Sequence, residues 1–449
     1  MKSMIAARSI LQEVRLDFPY NYYLQHIQML DQSGSLWIPL GDLAEIICDG
    51  PRNVKPSESG IPYIKLNNLK PGDIFHSSTN FIDDSGIQDK FRLQKNDVLI
   101  SKTGETVRSA LVPDSLIGAV FAPDIYRIKI DREEVSASWV NFFFRTRYAS
   151  EIILKLMYGT TIKRLSIRDL KSIRIPIPSP EMAREIEDIE LKAQKESEAA
   201  RSIFSSTIKS LYAEIDRRCK DLVSSKHDSD KYMAVNNKWL NERWDFPYLR
   251  SKQLMTALSN VKLFRPLKKL AKIAVSSRRH LTPDDEVCFV QISDIDPQYF
   301  TFSNVHRSCV KDLPYRIRVP LQAYQVLVLA SGTNLGTNLH PVAVVEPELD
   351  GCLASNAFFA LEFKDTPIYY GLVMRHPLVL EQIRGMVSGT GVSSVNKKQL
   401  QNLLLPVLGE VWRNDFNDRA KVAWEKRRLA INVRQKAINM IDNFITETI

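Results

Sequence analysis

The chain repeats itself, and that constrains its fold more than any other feature. Arg15-Leu-Asp-Phe-Pro-Tyr20 recurs as Arg243-Trp-Asp-Phe-Pro-Tyr248, an offset of 228. Ile38-Pro-Leu-Gly-Asp-Leu-Ala-Glu-Ile46 recurs as Arg265-Pro-Leu-Lys-Lys-Leu-Ala-Lys-Ile273, offset 227. The apolar pattern of Ile61–Leu69 returns at Val287–Ile295, offset 226. Asp97-Val-Leu-Ile-Ser-Lys-Thr-Gly104 returns as Gln325-Val-Leu-Val-Leu-Ala-Ser-Gly332, offset 228. Gly159-Thr-Thr through Leu170 to Pro176 returns as Gly389-Thr-Gly through Leu400 to Pro406, offset 230. Each match is weak alone, but collinear matches at a nearly constant offset mean two copies of about 228 residues.

Each copy has one internal plan. An irregular segment leads to the Pro-Leu-x-x-Leu-Ala element. Short β-patterned runs follow, such as Val98-Leu-Ile and Tyr126–Ile130, punctuated by Gly, Asn, Asp and Ser. A helix-patterned stretch comes next (Trp139 to Leu156; Tyr369 to Met386), then a Gly-Thr loop. A short helix begins near Ser166 or Asn396, and a strand ends in proline at Ile173-Arg-Ile-Pro-Ile-Pro178. Ser166 with Asp169 reads as an N-cap with an acid in the first turn. Strands mixed with helices predict an α+β globule. The expected domains are residues 1–178 and 230–406, with helices over 179–229 and 407–449.

Those helices are long and polar. Glu181 to Leu222 has no Gly or Pro, and Ile186, Ile189, Ala193 and Ala200, then Phe204, Ile208, Leu211 and Ile215, recur at three-to-four spacing. In Asn414 to Ile445, Ala423, Ala430, Val433, Ala437, Met440 and Phe444 fit a heptad that Lys426 interrupts. A narrow apolar stripe is best buried by another, so the two helices are expected to pair as an antiparallel coiled coil. A helix of about 40 residues spans about 60 Å, enough to act as a spacer between two globules.

Several function classes are excluded or disfavoured. The five cysteines (Cys48, Cys219, Cys288, Cys309, Cys352) form no CxxC pair, so reduced thiols in a cytoplasmic protein are expected. Arg8, Glu13 and Arg15 interrupt the N-terminal apolar residues, unlike a signal peptide, and no run is long enough to span a membrane. There is no HExxH, GxxxxGK[ST] or GxSxG. Asp17-Phe-Pro-Tyr20 and Asp245-Phe-Pro-Tyr248 resemble the Asp-Pro-Pro-Tyr loop of amino-methyltransferases, but Phe replaces the first Pro and no glycine-rich cofactor loop follows; a structural turn is expected. Asp350 with Glu362-Phe-Lys364 loosely resembles a nuclease metal site, yet Lys129 stands where the first copy would need the Glu. No catalytic residue and no metal site are therefore expected, which favours a binding protein.

The net charge of +9 makes an acidic partner the first guess. All of it lies in the second half: residues 1–230 hold 32 basic and 32 acidic side chains, whereas 231–449 hold 29 and 20. Basic residues also cluster. Arg145, Arg147, Lys155, Lys163, Arg164, Arg168, Lys171 and Arg174 fall between Trp139 and Pro178, and Lys262, Arg265, Lys268, Lys269, Lys272, Arg278 and Arg279 between Val261 and His280. DNA binding needs cations for phosphates, and amides or Arg for base edges. The first copy offers Arg52, Asn53, Lys55, Asn67, Asn68, Lys102, Thr103, Arg108, Thr160, Thr161, Lys163 and Arg164. The second offers Arg278, Arg279, His280, Ser331, Asn334, Thr337, Asn338, Ser393 and Ser394.

The run Tyr158-Gly-Thr-Thr-Ile-Lys-Arg-Leu-Ser-Ile-Arg-Asp-Leu-Lys-Ser-Ile-Arg-Ile-Pro-Ile-Pro178, with Pro39–Ile46 and Asp97–Gly104, resembles the specificity subunit of type I restriction–modification systems. Leu405-Pro-Val-Leu-Gly409 and Leu329-Ala-Ser-Gly332 depart from that family's pattern in the second copy. The resemblance implies two target-recognition domains, each reading half of a split double-stranded DNA sequence. It implies that paired helices set the unread gap and dock two adenine-N6 methyltransferase subunits, which carry S-adenosylmethionine; a motor–nuclease subunit can join. The chain itself would bind no cofactor and catalyse nothing. Three alternatives stay open: a stand-alone DNA-modifying or DNA-cleaving enzyme, a specificity subunit used by another methylation-based defence system, and a protein-interaction scaffold.

Overall fold

A computed structural model describes residue 30 and residues 36–74, 80–104, 106–132, 134–159, 162–220, 235–240, 242–274, 281–388 and 393–448. The chain divides into two compact units, residues 1–198 with 427–449, and residues 199–426.

In the first unit the strands are β1 (Trp37–Pro39), β2 (Ala44–Asp49), β3 (Val98–Ser101), β4 (Ser109–Leu111), β5 (Ile125–Ile130) and β6 (Arg174–Pro176). The helices are α1 (Ala137–Phe143), α2 (Arg147–Leu156) and α3 (Ile167–Ser172), followed by the long α4 (Pro180–Arg218). The main sheet has the order β2-β5-β3-β4, all antiparallel. A smaller mixed sheet contains Val120–Phe121, Ile61–Ile64, Asn80–Ile82 and Pro56–Ser57. β1 pairs antiparallel with β6, Trp37 opposite Pro176, which returns the end of the domain to its beginning just before α4.

The second unit has β7 (Phe264–Pro266), β8 (Ala271–Ile273), β9 (Val326–Leu329), β10 (Val342–Val344), β11 (Phe358–Phe363) and β12 (Leu404–Pro406). Its helices are α5 (Phe246–Ser259), α6 (Pro367–Val373), α7 (Pro377–Met386) and α8 (Lys397–Gln401), and α9 (Glu410–Thr448) follows. The main sheet has the order β8-β11-β9-β10, and β7 pairs with β12. This is the strand order of the first unit, position for position.

Local chemistry explains the element boundaries. Ser166 Oγ accepts the Asp169 N–H at 3.0 Å and starts α3, as its sequence predicts. Asn396 and Gln399 form a reciprocal capping box at α8. The helix expected from Trp139 to Leu156 is two helices. Buried Thr146 donates to the Phe143 carbonyl and accepts the Ala149 N–H, ending α1 and capping α2. The second unit breaks at the matching place because Pro377 has no N–H, while buried His376 caps the Leu378 N–H.

The two units fill one core position with different chemistry. Arg127, opposite Leu99, and Asp97 are fully buried and joined at 2.7 Å, and Asp97 also accepts the Gln94 N–H. Burial pushes the Asp97 carboxyl up from its ordinary value, against the pull of that N–H and of Arg127. In the second unit Ala360 faces Leu327 where Arg127 faces Leu99, and neutral Gln325 replaces Asp97, accepting the Gln322 N–H instead. The flanking strand positions stay apolar, with Ile100 and Ile128 replaced by Val328 and Leu361, so the ion pair is an alternative filling of the site and not a requirement of the fold.

Each unit contains part of both long helices. In the first, Glu185 meets Lys436 and Glu190 meets Arg434, so the two segments run antiparallel. Arg434 forks onto Glu190 with both contacts at 3.1 Å and also reaches Ser197 Oγ, nearly hidden from water. In the second unit Phe204, Leu211 and Ile215 share a core with Phe416, Ala420, Ala423 and Trp424. Ile186, Ile189 and Ala430 are buried as expected, and Ile208 is half-buried against the second unit's core. Along α9 the buried line is Ala430, Ala437, Ile438, Ile441 and Ile445, while Val433, Met440 and Phe444 flank it half-buried. The heptad reading is one residue out of phase there because Arg434 occupies the seam and Phe444 turns to an edge contact with Trp139.

The cysteine reading needs one correction. Cys288 and Cys352 are disulfide-bonded with Cα atoms 4.8 Å apart, because the parallel pairing of Phe289 with Leu353 sets their neighbours side by side. Their separation of 64 residues concealed this in the sequence. Cys48, Cys219 and Cys309 are free thiols.

Replacing Arg434 by Ala should destabilise the folded state by ~3–5 kcal/mol, because Glu190 then stays buried without a partner. The double variant E190L/R434L should recover most of the loss. Denaturant unfolding of all three proteins checks this.

Candidate nucleic-acid interface

Two remote loops of the first unit meet at one end of its main sheet. Asp49 of β2 pairs with Tyr126 of β5, and Ser101 of β3 with Ile125, so the chain after β2 and the chain after β3 leave the same sheet end. The loop after β3 then joins the loop before α3 by backbone bonds. Leu165 N–H donates to Lys102 O at 2.9 Å and Gly104 N–H to Lys163 O at 3.3 Å. Tyr158 and Arg164 exchange two backbone bonds, closing the second loop on itself. Gly104 has φ +123°, a conformation in which a side chain would be strained.

The second unit repeats this frame. Val395 N–H donates to Ala330 O at 2.9 Å, Gly332 N–H to Ser393 O at 3.0 Å, and Ser388 and Ser394 exchange two bonds. Gly332, at φ +149°, stands where Gly104 does. Side chains differ across the two frames while the backbone bonds match. Such a frame can present variable side chains at a fixed geometry.

The candidate residues divide by exposure. Arg52, Asn53, Lys55, Asn67, Lys163, Arg164 and Asn338 are exposed. Thr103, Ser331, Asn334, Thr337, Ser393 and Ser394 are half-buried within the frames. Lys102 is ion-paired with Asp49 at 3.0 Å and lies 5.0 Å over the Tyr126 ring, so it braces the sheet end. Arg108 donates to Leu66 O at 3.3 Å. Asn68 is a correction: it is fully buried and its side-chain oxygen accepts the Lys65 N–H at 2.8 Å, closing a turn instead of facing solvent. Thr160, Thr161, Arg278, Arg279 and His280 lie outside the described residues, as does the first copy of the Asp-Phe-Pro-Tyr motif. Of the basic cluster after Trp139, Arg145 turns inward, and burial lowers its pKa to about 10 with Arg434 adding to the effect. Two exposed apolar residues in the first frame, Tyr158 (49%) and Ile162 (55%), were not singled out; their place in the Gly-Thr loop was the available signal.

The weak catalytic signatures have internal uses. Asp245 caps α5, accepting the Tyr248 N–H at 3.0 Å, and binds Arg243 at 2.7 Å. Asp350 accepts the Ala323 N–H, and Glu362 accepts from the Gln325 amide. Among the described residues no group of three or more His, Cys, Asp or Glu could hold a metal. No described helix is long and apolar enough to cross a membrane.

The geometry is that of two loops held together on an α+β scaffold, repeated in the two units. Residues 37–196 match the family model of the type I restriction modification DNA specificity domain. Three solved structures are similar. The type I restriction–modification S subunit from M. genitalium is 15% identical, with 92% of this chain and 96% of that one covered and a TM-score of 0.35. The HsdS subunit from Thermoanaerobacter tengcongensis is 14% identical, with 92% and 96% covered and a TM-score of 0.27. A chain from a study of complex assembly and conformational transition in the type I system is 15% identical, with 90% and 97% covered and a TM-score of 0.28. Among curated proteins none matches.

His340 ends the loop that carries Asn334, Thr337 and Asn338. It is fully buried, and its Nδ1 accepts the Gly336 N–H at 3.3 Å. Burial, then the nearby Arg375 charge, lowers its pKa to about 4. The unfolded state, with an ordinary pKa near 6.5, takes up a proton first as pH falls. The stability contribution is therefore complete above about pH 6.5 and is lost progressively down to about pH 4, by ~3 kcal/mol in all. Unfolding of the wild type and of H340Q across this window should show a larger loss of stability with falling pH in the wild type, by about the His340 contribution.

Proposed function

We propose that this chain is the DNA-reading subunit of a methyltransferase or restriction complex, each unit reading half of a bipartite double-stranded target. The match of residues 37–196 to a DNA specificity domain carries this reading. The second unit supports it by repeating the two-loop frame with different side chains, as two readers of different half-sites would. Exposed Lys163 and Arg164 supply phosphate contacts, while the amides and hydroxyls of the frames reach base edges. Linking two half-site readers raises affinity through effective concentration.

In this reading the chain binds no cofactor. Two adenine-N6 methyltransferase subunits dock on it and supply S-adenosylmethionine and the chemistry, and a motor–nuclease subunit joins where cleavage is required. The complex works in the cytoplasm, where its DNA is.

Methylome sequencing of cells expressing the chain with its partner subunits should show a methylated bipartite motif. Exchanging residues 1–178 for those of another specificity subunit should change one half of it only; an unchanged motif overturns the reading. In binding assays K163Q/R164Q should weaken all sequences alike and lower the slope of log affinity against log salt by about 2.

A further inference from the structure

The Arg-x-Asp-Phe-Pro-Tyr motif occurs in both copies, and the proposed function leaves it unexplained. In the second unit Arg243 sits between its own turn and the end of α7. Its Nε donates to Asp245 Oδ2 at 2.7 Å. Its Nη1 donates to Val387 O at 2.9 Å and Gly385 O at 3.4 Å, and its guanidinium lies 5.0 Å over the Tyr248 ring. These carbonyls end a helix, where unpaired oxygens and the helix dipole favour a cation.

The other side of the clasp is equally constrained. Asp245 caps α5, and α5 packs so closely on α7 that a Cβ on Gly385 would lie 2.0 Å from Ser251 Cβ. Ser251 Oγ donates to Gln382 O, and Arg250 pairs with Glu381. The motif is therefore fixed to α7 from both directions. One residue past Val387, Ser388 exchanges two backbone bonds with Ser394, next to the Ser393 carbonyl that accepts the Gly332 N–H.

We propose that Arg243 is a positioning residue for DNA recognition by the second unit: it sets where Ser388 leaves α7, and so, through the Ser388–Ser394 and Gly332–Ser393 backbone bonds, where Ser393, Ser394 and Ser331 face the DNA. This rests on the DNA-reading function proposed above. The sequence pattern agrees. The clasp residues Arg, Asp, Phe, Pro and Tyr recur at Arg15–Tyr20, whereas the one position that changes, Leu16 against Trp244, is 78% exposed in the second unit and takes no part in the clasp.

The test selects DNA from a random duplex library with the full-length chain bound to its methyltransferase subunits. In R243Q the half-motif read by residues 230–406 should blur, with the ratio of specific to non-specific affinity falling about tenfold or more. The other half-motif and the salt slope should not change. R243K, which restores a cation to the α7 carbonyls, should recover part of the loss. Two sharp half-motifs in R243Q overturn the proposal. So does loss of both half-motifs with a lowered unfolding temperature in both variants, which would make Arg243 a general fold residue. A wild-type complex that enriches no bipartite motif overturns the function instead, before any variant is compared.

Discussion

The loop-bearing end of each unit depends on one constraint: two loops far apart in sequence must satisfy each other's backbone polar groups. Lys102 O and Leu165 N–H, like Ala330 O and Val395 N–H, close that requirement at 2.9 Å in the two units. A buried backbone donor left open would cost about as much as a lost hydrogen bond, so the loops hold one arrangement. The sheet supplies one loop and the helical layer the other. The β1–β6 and β7–β12 clamps return the chain to the start of its domain before each long helix begins. Because these bonds use backbone atoms alone, the side chains on the frame are free to differ, as Lys163-Arg164 and Ser393-Ser394 do.

Buried charge is used sparingly and locally. The first unit holds Asp97–Arg127 in its sheet and Glu190–Arg434 between its helical segments. The second replaces the sheet pair with Gln325 and Ala360 and keeps the same strand register. An ion pair inside a helix seam excludes other alignments more sharply than it stabilises the correct one, since a shifted helix would bury both charges unpaired. Ala430, Ala437 and Ile441 are small or apolar enough to tolerate a slip; Arg434 is not.

Much of the architecture was legible in the sequence because it rests on local patterns. Ser166 and Asp169 announced a cap, Val98–Ile100 and Tyr126–Ile130 announced strands, and both long helices lacked breakers. The site was less legible. Lys102, expected among the DNA contacts, is ion-paired with Asp49 across the sheet, and Asn68, expected with it, is buried and closes a turn. Lys163 and Arg164 stayed at the surface. A residue's type states what it can bond; only its neighbours state what it does bond. The Cys288–Cys352 disulfide was illegible for the same reason, its two cysteines lying 64 residues apart.

The sequence by itself determined the α+β class, the order of elements and the long helices. Each follows from spacing along the chain, which periodicity records directly. The tertiary structure decided which loops meet, which cations remain exposed and which face of α9 is buried. Those outcomes depend on strand register and helix phase, where a shift of one residue exchanges the buried and exposed sets, and no local pattern carries that information.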